Sequence, residues 1–502
     1  MNNIKKIFIR GSHILVYDYE INNQYEFNNL QFKLSTLKKI DKNGKELWRP
    51  DFKAMLMTLD PSNKKVLRLP REVPLYLIKN AWPMHEIFLD DKSWPKKYTE
   101  VNLKESVAFK NITQRRMFDF LLNNKSNTIG LETPTASGKS FVALAAWCER
   151  KTNLSAIFAQ KIHMENFKEE ILKHTTIQPK EICIIQGKES ISKAIKKIDQ
   201  YKVFLIMTKT FASVLSKFNF YSSYINPVSD FIFKTKSGLV IFDEAHLELK
   251  SMLQISMLIN VEEILYMSAT AHRTDSYENK ILAMQIPQNN TLTIKPEKRH
   301  HIRVQKYELD IIPEISSRFV VKGDYFQSSY YFRYITKNTR YFDFLLELIT
   351  KQIKWSFQEK KHKCVALVLS SALEELNLFA ENIKRIFSDK TVGVFTSEIS
   401  NIEKRSKELD VDIIITTEKS FAGSLNVLKL EHLILLAHLQ SKVVVEQIVG
   451  RLRGIDGNEC IVTDMVDISN RNILDQFKSR LSLYKKRLSD NIVDLPVEKF
   501  IS

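Results

Sequence analysis

Two series of short, almost continuous apolar runs constrain the fold of this chain more than any other feature. Longer amphipathic stretches separate the runs, which lie at 127–132, 155–160, 202–208, 238–245 and 263–270, and again at 363–371, 391–397, 411–417, 432–438 and 459–467. A continuous apolar run bounded by helices is typical of a parallel strand buried on both faces. The sequence therefore predicts an α/β protein with two tandem domains, each a parallel sheet flanked by helices.

The predicted domain boundaries follow from where this rhythm starts and stops. Residues 1–100 alternate like β strands and include one apparent helix, REVPLYLIKNAW, so we expect a separate small α+β domain. The two α/β domains are expected at 101–290 and 341–502. Between them, residues 291–340 hold KPEKRHHIRV and DYFQSSYYFRY and are predicted to be a basic, aromatic linker. Such a linker could stack on a nucleic acid, or its aromatic residues could simply pack it onto a domain.

The charge of the chain favours a polyanionic partner. Its 502 residues include 75 Lys and Arg against 58 Asp and Glu, a net charge of +17. This balance is typical of nucleic-acid-binding proteins, although a solvated basic surface would give the same count. The four cysteines contain no C-x-x-C pair, so neither a zinc site nor a disulfide framework is indicated. Because no signal peptide and no run of roughly 20 apolar residues is evident, a soluble, cytoplasmic protein without a membrane partner is expected.

A candidate phosphate loop, ETPTASGKS, follows the first apolar run and opens a helix. The common G-x-x-x-x-G-K-[ST] pattern has glycine where this chain has Thr133, so a strict match fails, but the strand–loop–helix context is the required one. Gly138 would let the backbone approach the phosphates, Lys139 would reach the β- and γ-phosphates, and Ser140 would ligate Mg²⁺. A lone GKS is weak evidence, so this assignment depends on the other motifs.

Three further motifs lie in the order expected for a two-domain ATPase. Asp243 and Glu244 follow the apolar run LVIF, where one carboxylate can hold the Mg²⁺ shell and the other can deprotonate water; the alternative is a pair of helix-capping acids. The tripeptide at 268–270, SAT, also ends a strand. Arg451 and Arg453 of EQIVGRLRG, on a predicted helix, could neutralise a departing phosphate.

Together these motifs resemble the superfamily 2 helicases over roughly residues 110–485. The further matching segments are NITQRRMFDFLL, FAQKIHMENF, IMTKTF, VLSS and TTEKSFAGSLNV. The block from EKSFAGSLNV to QIVGRLRG, with its AH-x-x-x-SK turn, is similar to the phage branch-migration and fork-remodelling helicases of the UvsW-like group. RLPREVPLYLIKNAW resembles the end of their small N-terminal DNA-binding domain. Two positions depart from the family: Ala136 replaces a glycine, and Arg453 comes one position early.

The resemblance implies two RecA-like P-loop domains, ATP and Mg²⁺ as cofactors, and a set of site residues. Those expected to bind the cofactor are Gln114, Thr135, Ala136, Ser137, Gly138, Lys139, Ser140 and Gly423, with Ser140 and Asp243 as metal ligands. Those expected to act in catalysis are Lys139, Asp243, Glu244, Gln447, Arg451 and Arg453. Those expected to contact nucleic-acid phosphates are Gln160, Lys161, Thr208, Lys209, Ser371 and Thr417. Those expected to couple the two activities are Ser268, Thr270 and His246.

The function implied is an ATP hydrolase that translocates on branched DNA and unwinds or branch-migrates it. Forks, junctions and R-loops are the expected substrates, with RNA–DNA hybrids as a related class, in phage replication, recombination and repair; a monomer in the host-cell cytoplasm is expected. Three alternatives stay open from the sequence: a double-stranded translocase that never separates strands, an RNA helicase, and a metabolic P-loop kinase or nucleic-acid binder with an inactive ATPase.

Overall fold

The structure is a computed structural model of the chain. It describes residues 5–17, 19, 23–42, 45–60, 64–90, 92–134, 137–220, 226–245, 247–268, 276–286, 288–295, 298, 300–311, 321–322, 325–326, 328–370, 373–396, 410–422, 429–439, 441–453 and 459–500. The chain divides into two compact units, Met1–Ile294 and Lys295–Ser502. No helix within these described ranges is both long enough and apolar enough to cross a bilayer.

The N-terminal part of the first unit is a small mixed sheet with two helices. Its elements are β1 (Lys6–Ile9), β2 (His13–Tyr17), α1 (Gln24–Lys33), β3 (Ser35–Lys42), β4 (Lys45–Lys53), β5 (Leu56–Leu59), β6 (Lys65–Pro70), α2 (Leu75–Ala81) and β7 (Glu86–Leu89). The five-stranded sheet has the order β5-β6-β2-β1-β7, and β3 and β4 form a separate antiparallel hairpin. The predicted α+β composition of residues 1–100 agrees with these elements.

This N-terminal sheet packs directly on the rest of the first unit. Arg68 on β6 donates to His13 Nε2 at 3.0 Å and to the Met257 carbonyl at 2.9 Å, and Gln285 Nε2 donates to the Ser12 carbonyl at 3.1 Å. Burial lowers the pKa of His13 well below its usual value. The sequence predicted a separate domain ending near residue 100, but these buried polar contacts make the sheet part of one compact unit.

A seven-stranded sheet forms the rest of the first unit, and every neighbouring pair in it is parallel. Its strands are β8 (Thr128–Glu132), β9 (Asn153–Phe158), β10 (Ile182–Ile185), β11 (Val203–Met207), β12 (Ser237–Asp243), β13 (Glu263–Ser268) and β14 (Thr291–Thr293), in the order β10-β11-β9-β12-β13-β8-β14. Its helices are α3 (Ile112–Asn123), α4 (Lys139–Arg150), α5 (Lys161–His174), α6 (Lys188–Ile195), α7 (Thr208–Leu215), α8 (Pro227–Thr235), α9 (Leu249–Ser256) and α10 (Ser276–Ala283). All five predicted strands are present.

The second unit contains a second parallel sheet, in the order β19-β20-β18-β21-β22-β15-β23 with β24 also on β15. Its strands are β15 (His300–Glu308), β18 (Val365–Leu369), β19 (Val392–Phe395), β20 (Ile413–Thr417), β21 (His432–Leu436), β22 (Cys460–Asp467), β23 (Asn491–Asp494) and β24 (Glu498–Lys499); β16 (Val321–Lys322) and β17 (Tyr325–Phe326) form a small hairpin. Its helices are α11 (Ser328–Lys337), α12 (Thr339–Gln358), α13 (Leu373–Ile386), α14 (Glu418–Ala422), α15 (Lys442–Val449) and α16 (Arg471–Leu483).

The segment 291–340 was predicted to be a linker, and the structure corrects this. β14 extends the first sheet, and β15 pairs with β22 over eight positions, from His300 with Cys460 to Tyr307 with Asp467. Ile302 and Val304 are fully buried, whereas the Arg303 guanidinium lies over the Trp355 ring, 3.4 Å from its centroid. The basic residues of this segment therefore alternate with core positions of a strand.

A buried ion pair fixes α16 against β22. Arg480 contacts Asp464 through two nitrogen–oxygen distances of 2.8 and 3.0 Å, and its Nη1 donates to the Leu439 carbonyl at 3.2 Å. The Tyr484 hydroxyl donates to the same carboxylate at 2.8 Å. Both charged side chains are almost completely buried and have lost their hydration. Each is compensated for this loss by the opposite charge of the other.

We expect Arg480→Met to destabilise the second unit by about 3–5 kcal/mol, because it leaves a buried carboxylate without its cation. Arg471→Met is the matched control, since Arg471 lies on the same helix with its side chain 94% exposed; it should change stability by less than about 0.5 kcal/mol. Amide hydrogen exchange in β22 measures the difference. Equal protection of β22 in the two variants would contradict the role given to the ion pair.

Candidate functional site

The predicted motifs of the first unit meet at one edge of its sheet. Ser268, at the end of β13, pairs with Glu132, at the end of β8. Phe158, at the end of β9, pairs with both Asp243 on β12 and Met207 on β11. Because all these strands are parallel, the loops that follow them share the carboxyl edge, which is where open α/β sheets bind ligands.

The candidate phosphate loop is tied to the sheet through Thr133. This residue is fully buried; its N–H donates to the Ser268 carbonyl at 3.1 Å, and its hydroxyl lies 2.8 Å from the Ser137 hydroxyl. The threonine that replaces the usual glycine thus cross-links the two ends of the loop. Thr135 and Ala136, also predicted to bind the cofactor, lie outside the described residues.

Gly138 and Gln114 lie against each other at the start of α4. Gly138 is the N-cap residue and has a φ of +85°, and a Cβ added to it would collide with the Gln114 amide nitrogen. That amide donates to the Ser137 carbonyl at 3.4 Å, and its oxygen accepts the Lys110 N–H at 2.9 Å. Gln114, one of the residues predicted to bind the cofactor, is therefore held directly beside the loop.

We expect Gly138→Ala to weaken nucleotide binding by about tenfold or more, because it combines backbone strain with displacement of Gln114. Gly187→Ala is the matched control: Gly187 has a φ of +84°, and nothing lies within 4 Å of its added Cβ. Both variants should lose roughly 1–2 kcal/mol of stability through the left-handed backbone. Titration with a fluorescent ATP analogue separates them; equal affinities would contradict the role given to the Gly138–Gln114 contact.

Lys139 and Glu244 form a buried pair over the loop. The Lys139 ammonium lies 3.5 Å from Glu244 Oε1 and donates to the Thr133 carbonyl at 3.3 Å. Glu244 has a φ of +46°, a left-handed conformation that a non-glycine residue adopts at a cost of roughly 1–2 kcal/mol. Backbone strain of this kind is concentrated at functional sites.

Asp243 lies next to this pair, and the pKa of its carboxyl is shifted strongly. Burial, and then the neighbouring Glu244 charge, raise the pKa of Asp243 to about 6, while His163 and Lys139 oppose the shift. His163 Nδ1 lies 4.0 Å from Asp243 Oδ2. A cation beside this carboxylate would relieve the repulsion, so the site fits the predicted Mg²⁺, whose other ligands would be phosphate oxygens and Ser140. In the described part of the chain, no group of three or more His, Cys, Asp and Glu residues could hold a metal.

The predicted nucleic-acid contacts of this unit follow β9 and β11. Lys161 is exposed and pairs with Glu165 at 3.3 Å, and Lys209 is also exposed, whereas Gln160 is half-buried. The Thr208 hydroxyl is buried and donates to the Phe158 carbonyl at 3.0 Å. Its side chain therefore holds two strand ends together, and only its backbone N–H, in the first turn of α7, is placed like a phosphate donor.

Strand ends of the second unit are also linked through hydroxyls. Ser370, after β18, donates to Glu418 Oε2 at 2.5 Å and accepts the His438 N–H at 3.1 Å. The Thr417 hydroxyl, by contrast, bonds to Ser420 within its own turn. Ser370 and Glu418 were not among the predicted residues, although both lie inside matched segments, VLSS and TTEKS. The predicted Ser371 and Gly423 lie outside the described residues, as do Thr270 and His246 of the first unit.

The two arginines lie after α15, which corrects the prediction that they lie on a helix. α15 ends at Val449, so both follow it, beyond Gly450. Arg453 Nη1 donates to the carbonyls of Gly450 and Leu452 at 2.7 and 2.9 Å. The Arg453 guanidinium is therefore hydrogen-bonded within its own turn. Arg451, the residue after Gly450, is half-buried. Gln447, on α15, is also half-buried.

Comparisons with known proteins agree with this geometry. Residues 111–277 match the sequence model of the family described as DEAD/DEAH box helicase, so this part of the chain carries a DEAD/DEAH box helicase domain. The protein named "Putative helicase 161L" from Invertebrate iridescent virus 6 is 24% identical over 390 residues, which are 75% of this chain and 79% of that protein.

Solved structures extend the comparison to both units. Mss116p, with its NTE and C-tail deleted and bound to ssRNA and AMP-PNP, is 13% identical with a TM-score of 0.51, over 77% of this chain and 74% of that one. At this identity the likeness concerns the fold alone, and it confirms the predicted fold class of two RecA-like domains, each a parallel sheet flanked by helices. T4 UvsW is 16% identical over 99% of this chain and 100% of that one, but its TM-score of 0.36 is too low to support a conclusion.

Proposed function

We propose that this protein is an ATP-dependent helicase that unwinds or branch-migrates branched DNA. The observation that carries the proposal is the buried Lys139–Glu244 pair, with Asp243 beside it and the phosphate loop beneath it, at one edge of a parallel sheet. An isolated GKS or DEAH sequence can occur by chance. A chance match would not explain why Lys139 of the first motif and Glu244 of the second lie within hydrogen-bonding distance of each other.

The residues at this edge of the sheet would each have a different role in ATP hydrolysis. A bound β,γ-phosphate would replace Glu244 as the partner of Lys139, because three negatively charged oxygens attract the ammonium more strongly than one carboxylate. Glu244 would then be available to orient water and accept its proton. Asp243 and Ser140 would hold Mg²⁺, whose contribution is to neutralise charge on the phosphate oxygens. Gln114, held beside the phosphate loop, would contact the adenine.

Three residues of the second unit are assigned roles from the sequence resemblance: Arg451 as the arginine finger, Gln447 in catalysis and Gly423 in cofactor binding. Arg453 donates to the carbonyls of its own turn and would have to leave them to act as a second finger. Ser268, Thr270 and His246 would couple hydrolysis to movement.

The nucleic-acid partner is inferred from charge and from the sequence resemblance. A net charge of +17 favours a polyanion, and contacts to phosphates give affinity without sequence specificity. The proposed contacts are those of Gln160, Lys161, Thr208, Lys209, Ser371 and Thr417. The resemblance to phage fork-remodelling helicases favours forks, junctions and R-loops over RNA duplexes, with a monomer as the active form.

A substrate panel tests the proposal. ATP hydrolysis and strand displacement are measured side by side on forked DNA, a four-way junction, an R-loop, blunt duplex DNA and duplex RNA. We expect the branched DNA substrates to stimulate hydrolysis most and to lose a strand. Stimulation without displacement would support a translocase, a preference for duplex RNA would support an RNA helicase, and phosphorylation of a small molecule without nucleic acid would overturn the proposal.

A further inference from the structure

His163 lies beside the nucleotide site, but the proposed mechanism does not use it. It is the third residue of α5 and belongs to the segment FAQKIHMENF, in which only Gln160 and Lys161 have been assigned a role. Its side chain is 16% exposed, at the carboxyl edge of the first parallel sheet. Because open α/β sheets bind ligands at this edge, a polar side chain largely withdrawn from solvent there is a candidate for a role in the site.

The fold brings His163 to Asp243. β9 ends at Phe158, which pairs with Asp243 at the end of β12, and α5 begins three residues after Phe158. The helix is held on the sheet by a buried face that consists of Met164, Phe167 and Ile171. This packing keeps the first turn of α5, and His163 with it, at the edge where β12 ends.

The imidazole of His163 faces the carboxylate that is proposed to bind Mg²⁺. His163 Nδ1 lies 4.0 Å from Asp243 Oδ2, and the Asp243 side chain is 11% exposed. The separation is about 1 Å longer than a hydrogen bond, and contacts of this kind in catalytic sites often shorten only when the substrate binds. An Nδ1–H that approaches Oδ2 would stabilise the ionised carboxylate and leave Oδ1 for a metal.

Asp243 and Glu244 are adjacent acids, so each depends on its own contact to keep a separate role. The Lys139 ammonium lies 3.5 Å from Glu244 Oε1 and donates to the Thr133 carbonyl, which orients it toward Glu244 and the phosphate loop. His163, by contrast, lies against Asp243. Carboxylates that bind metals are commonly held by a partner of this kind, and its removal typically lowers metal affinity about 10–100-fold.

We propose that His163 is a positioning residue that orients the Asp243 carboxylate toward the Mg²⁺ of a bound nucleotide. Mg²⁺ prefers oxygen ligands to imidazole nitrogen, so His163 is assigned to the carboxylate and not to the metal. The inference rests on the proposed function only for the magnesium–nucleotide site; it does not depend on which nucleic acid the protein acts on.

The contribution of Mg²⁺ to nucleotide binding tests the inference without relying on hydrolysis. A fluorescent, non-hydrolysable ATP analogue is titrated with the full chain in excess Mg²⁺ and again in EDTA, and the ratio of the two dissociation constants is taken as the Mg²⁺ effect. His163→Leu removes both ring nitrogens and keeps most of the side-chain volume. Its matched control is His174→Leu at the other end of α5, because His174 is 17% exposed and contacts Glu170 at 3.0 Å.

We expect His163→Leu to lower the Mg²⁺ effect by about tenfold or more while affinity in EDTA stays within about twofold of the wild type. His174→Leu should keep the wild-type Mg²⁺ effect. His163→Asn should restore most of it, because the amide nitrogen of asparagine lies close to the place of Nδ1. Asp243→Asn should lower the Mg²⁺ effect by itself, and His163→Leu added to it should cause little further loss, because His163 acts through that carboxylate.

Four results would overturn the inference. They are a His163→Leu protein with the wild-type Mg²⁺ effect, an equal loss of affinity in Mg²⁺ and in EDTA, a His163→Asn protein that behaves like His163→Leu, and losses that add fully in the double variant with Asp243→Asn. Circular dichroism is measured on each variant, so that a folding defect is not mistaken for a loss of binding.

Strand separation and ATP hydrolysis keep the two proposals distinct. If the wild type separates forked DNA while His163→Leu keeps the full Mg²⁺ effect, only this inference fails. If the Mg²⁺ effect depends on His163 as expected but the wild type hydrolyses no ATP on any nucleic acid, only the proposed function fails. A wild type whose nucleotide binding is indifferent to Mg²⁺ would overturn both.

Discussion

Lys139→Ala is expected to lower ATP hydrolysis by about 10²–10³-fold and to abolish strand displacement. The ammonium lies buried over the phosphate loop and is the cation placed to meet charge that develops on the transferred phosphate. Removing one preorganised donor of this kind typically slows a reaction by about 10²–10³-fold. The rate of phosphate release at saturating forked DNA measures the effect.

Two comparisons make the Lys139→Ala result specific. Lys173→Ala removes an exposed lysine from α5 of the same unit and should leave the rate within about twofold of the wild type. DNA binding without nucleotide should be similar in all three proteins, because Lys139 is buried in the nucleotide site. A Lys139→Ala protein that still separates strands would show that the motor has been assigned to the wrong residues.

Glu244→Gln is expected to separate ATP binding from ATP hydrolysis. The amide keeps the size of the side chain and can still accept from Lys139, so affinity for ATP should change by less than about tenfold. It cannot take a proton from water, so the single-turnover rate should fall by about 10²–10⁴-fold. Equilibrium binding of labelled ATP and a single-turnover hydrolysis assay give the two values independently.

The control for Glu244→Gln is Glu149→Gln, which changes an exposed acid near the end of α4. If Glu244→Gln loses ATP binding and hydrolysis together, the left-handed Glu244 serves to shape the loop rather than to activate water. If it hydrolyses ATP at the wild-type rate, another group is the base.

The sequence predicted the parallel strands well because burial on both faces leaves an unmistakable apolar run. It did not predict β15, whose alternation of Ile302, Arg303 and Val304 suggests a charged linker until its pairing with β22 is known. β10 and β14 were also missed, since runs of four and three residues are too short to distinguish from loops or buried helix segments.

For the site, the motifs predicted Lys139, Asp243 and Glu244 but not the contacts that these side chains make. Nothing in the sequence indicates that Thr133 bonds to Ser137, or that Arg453 donates to the carbonyls of its own turn. Both contacts depend on backbone geometry at the end of a strand or helix. The sequence also did not predict that the N-terminal sheet packs on the rest of the first unit through Arg68 and His13. A sequence does not distinguish buried polar residues from exposed ones.

The most direct test of the central claim is the steady-state rate of ATP hydrolysis by the wild-type protein, titrated with forked DNA. We expect a low rate without DNA that rises and saturates as the fork is added, and that falls to background in Lys139→Ala. A wild-type protein that hydrolyses no ATP with any DNA or RNA, or that hydrolyses it at the same rate with and without nucleic acid, would contradict the claim that this chain is a nucleic-acid-driven motor.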